Sequence, residues 1–209
     1  MDRDDQKRRP LERSRLSLEK LSSPQPAVFL DRDGVLIEDK HYLSDPNLVE
    51  LCPGANELLK LAHESGWPVI IITNQSGIER GYYNWRDYER VTDKLLSLLD
   101  DDKHIAAIYA NGYAANTAVN SWRKPNPGML EAAAHELNID LSRSVLAGDR
   151  LSDLIAADRA GLRRLCHVKT GHGRVERESV TTWSKGKEID LILCNNLLEL
   201  TGDFEAWIE

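Results

Sequence analysis

From residue 27 onward, short apolar runs alternate with amphipathic segments. The runs are Ala27–Leu30, Val69–Ile72, Ile105–Tyr109, Val145–Ala147, Leu165–Val168 and Leu191–Cys194. Between them lie helical patterns over Ala55–Glu64, Trp85–Leu99, Gly128–Leu137 and Leu151–Ala160. Leu58, Leu59, Leu61 and Ala62 share one helical face, as do Val91, Leu95, Leu98 and Leu99. Buried apolar strands alternating with helices imply a parallel sheet covered on both faces. The predicted fold is therefore α/β and doubly wound, with right-handed crossovers.

Residues 1–25 break this pattern. They are charged, interrupted by Pro10, and end in the cluster Ser22-Ser23-Pro24-Gln25-Pro26. That composition predicts a tail and linker, with a helical stretch around Leu16–Leu21, ahead of a single domain over 26–209.

Composition acts mainly by exclusion. A length of 209 residues suits one domain, 41% hydrophobic residues supply a core, and 29% charged residues suit a solvated surface. Neither an apolar stretch of bilayer length nor an apolar leader is present, so a cytoplasmic protein without membrane contact is expected. A net charge of −7 disfavours nucleic acid as a partner. Cys52, Cys166 and Cys194 are odd in number and scattered, which fits a reducing compartment better than a disulfide framework or a Cys-based zinc site.

In doubly wound sheets ligands bind beyond the carboxyl ends of the strands, so the polar residues there carry the candidate chemistry. Asp31 and Asp33 follow the first apolar run and end in Gly34. Such a pair can simply bind a metal or cap a turn. Alternatively, Asp31 can attack phosphorus in line, while Asp33 protonates the leaving alkoxide and then deprotonates water. An anionic nucleophile approaching a phosphate dianion needs neutralising charge. Asp149, after the fourth run, can supply a hard oxygen ligand to Mg²⁺, and Asp153 one turn later can support it or merely charge the helix start. Thr73 offers a hydroxyl and Lys124 a point positive charge to phosphate oxygens.

Together these residues resemble the haloacid dehalogenase superfamily of phosphohydrolases, and within it the heptose 1,7-bisphosphate and histidinol-phosphate phosphatases. The segments that carry the likeness are Phe29–Val35 (FLDRDGV), Thr73–Gly81 (TNQSGIERG), Arg123–Met129 (RKPNPGM) and Gly148-Asp149 with Asp153. The resemblance implies a Rossmann-like core without a large cap, a short flap over about 34–53, and Mg²⁺ held by Asp31, the Asp33 carbonyl and Asp149. It further implies Thr73 and Lys124 on the phosphate, with Asn74 and Arg123 reaching phosphate or sugar. Relatives carry a zinc loop before the Arg-Lys pair; here its positions read Ala110, Gly112, Asn120 and Trp122, so no structural zinc is expected, and the loop beside Arg123 is expected either to be ordered by packing of Trp122 or Tyr113 or to remain mobile and broaden the substrate range. In the flap, Lys40 and His41 either touch a distal phosphate or are solvated. His104 and His135 form no ligand set with this loop.

The expected activity is hydrolysis of a small sugar phosphate, heptose 1,7-bisphosphate above others, by a monomer or small homo-oligomer. Histidinol phosphate and a nucleic-acid 3′-phosphate are alternative substrates. A catalytically inactive binding protein is the remaining alternative, opposed by the presence of every catalytic position.

Overall fold

The computed structural model describes residues 11–100, 105–115 and 122–208. Seven strands form one sheet: β1 (Glu12–Leu16), β2 (Val28–Leu30), β3 (Val69–Asn74), β4 (Ile105–Asn111), β5 (Val145–Gly148), β6 (Arg164–Val168) and β7 (Asp190–Cys194). Their order across the sheet is β1-β4-β3-β2-β5-β6-β7, and all pairings are parallel except that of β1 with β4. The order runs outward in both directions from β2, so the crevice at its carboxyl end is the switch point where such folds bind ligands.

Alternate residues of each central strand feed opposite cores, as the pleat requires. Val28, Leu30 and Ile71 join one cluster, with Leu58, Leu59, Val91 and Leu95 from α1 (Ala55–Glu64) and α2 (Trp85–Leu98). Phe29, Ile70 and Ile72 join the other, with Met129, Leu130 and Ala133 of α3 (Gly128–Leu137) and Leu154 and Ala157 of α4 (Leu151–Ala160). The chain continues into α5 (Gly173–Ser184), α6 (Leu197–Thr201) and α7 (Phe204–Ile208), whose Trp207 is fully buried in the first core. A short 3₁₀ turn at Pro46–Leu48 is the one helical element between β2 and α1, so no cap domain interrupts the described residues there.

The amino-terminal expectation is corrected in part. Glu12–Leu16 is an antiparallel edge strand rather than tail, and Leu16–Leu21 forms no helix. Its alternating polar side chains find partners on α2: Arg15 lies 2.6 Å from Asp93, and Arg13 sits over the Trp85 ring at 4.6 Å. The strand's backbone pairing, invisible to hydrophobic patterning, does the rest. Residues 1–10, His104 and Asn120 lie outside the described residues.

Candidate active site

Asp31 follows β2 directly, and its backbone N–H still donates to Ala147 of β5. Oδ1 accepts the Arg32 N–H at 2.7 Å and lies 3.0 Å from Lys124 Nζ. Lys124 is buried; its ammonium also reaches Asp153 Oδ1 at 2.9 Å and donates to the Ile72 carbonyl at 2.9 Å. Two carboxylates and a main-chain carbonyl surround this cation, which is how a lysine tolerates burial. The flanking carboxylates hold its pKa up despite desolvation.

Asp31, Asp149 and Asp153 each offer an oxygen within 4.8 Å of the others, and all three are buried. Burial raises the Asp31 carboxyl to about 7 against the lowering effect of Lys124. Burial, then Asp153 and Asp31, raise Asp149 to about 9. Oδ2 of Asp149 accepts the His172 N–H at 2.7 Å, whereas its buried Oδ1 has no hydrogen-bond partner. An orphaned carboxylate oxygen beside two more buried carboxylates fits a hard divalent cation, which would relieve both the desolvation and the mutual repulsion. Backbone is packed around it. Gly34, at φ +83°, and Gly171, at φ +54°, both face Asp149 Oδ2, and a Cβ at either position would collide with that oxygen.

His167 Nε2 lies 3.0 Å from the Asp149 carbonyl. A carbonyl only accepts, so the ring donates from Nε2. Burial, with Arg177 nearby, lowers its pKa to about 4, keeping it neutral.

Asp33 points the other way, into a bracket that residue order alone does not reveal. Arg32 Nε and Nη2 donate to its two oxygens at 3.1 and 3.0 Å, and Gln75 Nε2 donates to Oδ2 at 2.7 Å. Gln75 also donates to Thr73 Oγ1 at 2.7 Å and accepts from the Tyr83 hydroxyl at 2.6 Å. Arg32 is buried, with Tyr88 packed against its guanidinium at 5.1 Å. The expected residues Asp31, Asp33, Thr73 and Lys124 are thus brought together, with Arg32 and Gln75 as additions. Asn74 takes a different part: its amide donates to the Lys124 carbonyl at 3.0 Å and accepts the Lys124 N–H at 3.1 Å, so it holds that residue's backbone.

The carboxyl ends open into a cleft of about 530 Å³ whose lining includes Asp31, Asp33, Lys124, Arg80, Arg123, Arg150, His41 and Tyr42. Arg123 Nη1 donates to the Tyr113 carbonyl at 3.0 Å. Its pKa is lowered by burial and then by the charges of Arg80 and Arg150, which line the same cleft; Arg150 also lies 4.0 Å from Asp39 and 3.8 Å from Glu176. Arg80 lies inside the TNQSGIERG segment already noted and Arg150 immediately follows Asp149, but their meeting in one cleft depends on the fold. Lys40 is spent on Glu50 at 2.6 Å. The flap residue Asp39 pairs with His172 at 2.9 Å, tying the flap to the loop after β6. At the positions where a zinc loop was expected to be lost, Trp122 packs edge-on against Tyr109 at 5.4 Å.

An α/β switch-point crevice holding buried carboxylates, a buried lysine and a cluster suited to a cation has the make-up of a phosphoryl-transfer hydrolase. Residues 37–158 match the haloacid dehalogenase-like hydrolase family, and residues 121–200 match a second HAD hydrolase-like model. The chain belongs to the haloacid dehalogenase-like hydrolases and is a phosphatase. It is 34% identical to the D-glycero-β-D-manno-heptose-1,7-bisphosphate 7-phosphatase of Haemophilus ducreyi, over 83% of this chain and 95% of that one. It is 42% identical to the corresponding Mesorhizobium japonicum enzyme over 144 residues, 66% of each chain. Among solved structures, it matches a HAD-like protein of Mesorhizobium loti at 32% identity with TM-score 0.80, covering 96% of this chain and 94% of that one. It also matches the D,D-heptose 1,7-bisphosphate phosphatase of B. bronchiseptica, complexed with magnesium and phosphate, at 27% identity and TM-score 0.71, over 87% of this chain and 99% of that one.

Proposed function

We propose that this phosphatase hydrolyses a sugar bisphosphate, D-glycero-D-manno-heptose 1,7-bisphosphate, at its 7-phosphate, with Mg²⁺ as cofactor. The observation that carries the reading is a cleft lined both by Asp31, Asp33 and Lys124 and by three arginines: the first group suits the reacting phosphoryl group, and Arg80, Arg123 and Arg150 suit a second phosphate. The named relatives act on this bisphosphate, which agrees with that division.

An Asp31 carboxylate oxygen forms a bond to phosphorus as the bond to the sugar oxygen breaks, giving an aspartyl-phosphate. Asp33 gives its proton to the leaving alkoxide, then takes one from the water that cleaves the acyl-phosphate, returning both carboxyls to their starting states. Lys124 and the Thr73 hydroxyl bind phosphate oxygens, and Asn74 keeps Lys124 in place. Asp31, Asp149 and the Asp33 carbonyl would hold Mg²⁺, with Asp153 supporting; the ion supplies positive charge that offsets the repulsion between nucleophile and phosphate. A cytoplasmic setting and a monomer or small homo-oligomer complete the reading.

The test is phosphate release, with and without Mg²⁺, from heptose 1,7-bisphosphate, heptose 1-phosphate, histidinol phosphate and a 3′-phosphorylated oligonucleotide. The bisphosphate should give the highest kcat/KM. A preference for histidinol phosphate or the oligonucleotide would overturn the substrate, and Mg²⁺-independent turnover would overturn the cofactor.

A further inference from the structure

The wall that carries Arg123 is tied at two points to neighbouring residues near the start of the chain. The Gly112 N–H donates to the Leu11 carbonyl at 2.7 Å, and the Trp122 N–H donates to Glu12 Oε1 at 2.8 Å. Gly112 immediately precedes Tyr113, whose carbonyl accepts from the Arg123 guanidinium, and Trp122 immediately precedes Arg123 itself. Both the base of that side chain and the acceptor for its tip are therefore referenced to Leu11 and Glu12.

Glu12 is only 8% exposed. Backbone pairing alone would suffice to close the sheet edge, and a buried carboxylate is a costly way to add to it. A carboxylate does make a stronger and shorter-ranged tether to a main-chain N–H than a neutral acceptor. The strand beneath it is firmly based. All five residues of β1 are in register with β4, from Glu12 opposite Asn111 to Leu16 opposite Ala107, and Arg13 and Arg15 reach Glu89 and Asp93 on α2 at 3.8 and 2.6 Å.

We infer that Glu12 is a positioning residue for substrate selection: through the Trp122 N–H it fixes Arg123, so that the amino-terminal strand helps determine which phosphorylated sugars the cleft retains. This rests on the reading of the cleft as a sugar-bisphosphate site. Glu12 touches no reacting atom. Its effect should therefore fall on KM for a substrate that engages Arg123, and far less on the turnover of a small aryl phosphate that does not.

The experiment compares full-length Glu12→Ala and Glu12→Gln with wild type. It measures kcat and KM for heptose 1,7-bisphosphate and for p-nitrophenyl phosphate, together with amide hydrogen exchange of peptides containing Gly112 and Trp122. Glu12→Ala should raise KM for the bisphosphate about tenfold, change kcat for p-nitrophenyl phosphate less than about threefold, and accelerate exchange at Trp122. Glu12→Gln keeps the acceptor oxygen and should restore most of the loss. If Glu12→Ala misfolds, Glu12→Asp, which withdraws the acceptor by one methylene, should shift the same KM ratio in the same direction. Equal KM changes on both substrates, unchanged exchange at Trp122, or a Glu12→Gln variant as impaired as Glu12→Ala would each overturn the inference. Failure of the wild type to hydrolyse the bisphosphate would sink the substrate reading alone, since amide exchange reports the tether without any substrate.

Discussion

A single buried ammonium carries much of the site's electrostatics. Lys124 stands between Asp31 and Asp153, and its removal would leave two carboxylates buried without a counter-charge. Lys124→Met should therefore cost about 3–5 kcal/mol of stability in metal-free protein, the usual penalty for breaking a buried pair. Chemical denaturation should show the loss, and added Mg²⁺ should restore part of it; a neutral substitution would mean that the carboxylates protonate at little cost. Asp31→Asn should abolish turnover, because an amide forms no acyl-phosphate, and Asp33→Asn should slow it by about 10²-fold or more. Rapid-quench detection of phosphorylated enzyme separates the two, with none expected for Asp31→Asn. Near-normal turnover by Asp31→Asn would remove the covalent pathway. At this scale, the positions of Asp31, Thr73 and Asp149 were legible because each closes an apolar run, and Lys124 because it stands in the RKPNPGM segment beyond the loop after the third run. The bracket of Arg32 and Gln75 around Asp33 was not, because it depends on side-chain directions converging from two strands. Asn74 was legible as a site residue, yet its bonds to the Lys124 backbone make it a support.

At the scale of elements, buried strands and long amphipathic helices could be read directly. The expected spans of α1, α3 and α4 coincide with those observed, because an apolar face against the sheet dictates them. β1 could not be read that way. Its sequence, ERSRL, has no apolar alternation, and its stability comes from a ladder with β4 and from charges on α2. α5 also escaped, since only Gly173 and Val180 of its residues are buried. The turn after β2 shows the opposite situation, a local feature with a strong consequence. Gly34 is in the left-handed region, and a Cβ there would strike Asp149 Oδ2. Gly34→Ala should thus weaken Mg²⁺ binding by at least about tenfold, through strain plus displacement of that oxygen. Calorimetric titration of Mg²⁺ into the folded variant measures this, and an unchanged affinity would show that the turn relaxes freely.

For the whole molecule, the acidic cluster links stability to pH. Asp31 and Asp149 have folded-state pKa values raised to about 7 and about 9, above their ordinary value of 3.8. Groups raised in this way stabilise the metal-free fold at low pH, and that contribution is lost as pH climbs through the raised values. A bound cation competes with those same protons. The Tm gain produced by Mg²⁺ should consequently be larger at about pH 8.5 than at about pH 5.5. Differential scanning calorimetry at both values decides the matter, and a gain independent of pH would mean that the carboxylates are already ionised without metal.

The sheet order also bears on how the chain emerges during synthesis. β2 is central, but its partners β3 and β5 begin at Val69 and Val145, far behind it in the chain. At about 5–20 residues per second, the apolar β2 edge destined for β5 therefore waits several seconds for its neighbour. Over that interval a nascent polypeptide presents Val28-Phe29-Leu30 as an unpaired strand edge, the kind of surface that recruits other chains. Ribosome-bound fragments ending before residue 145 should accordingly aggregate or engage chaperones more than fragments that include β5.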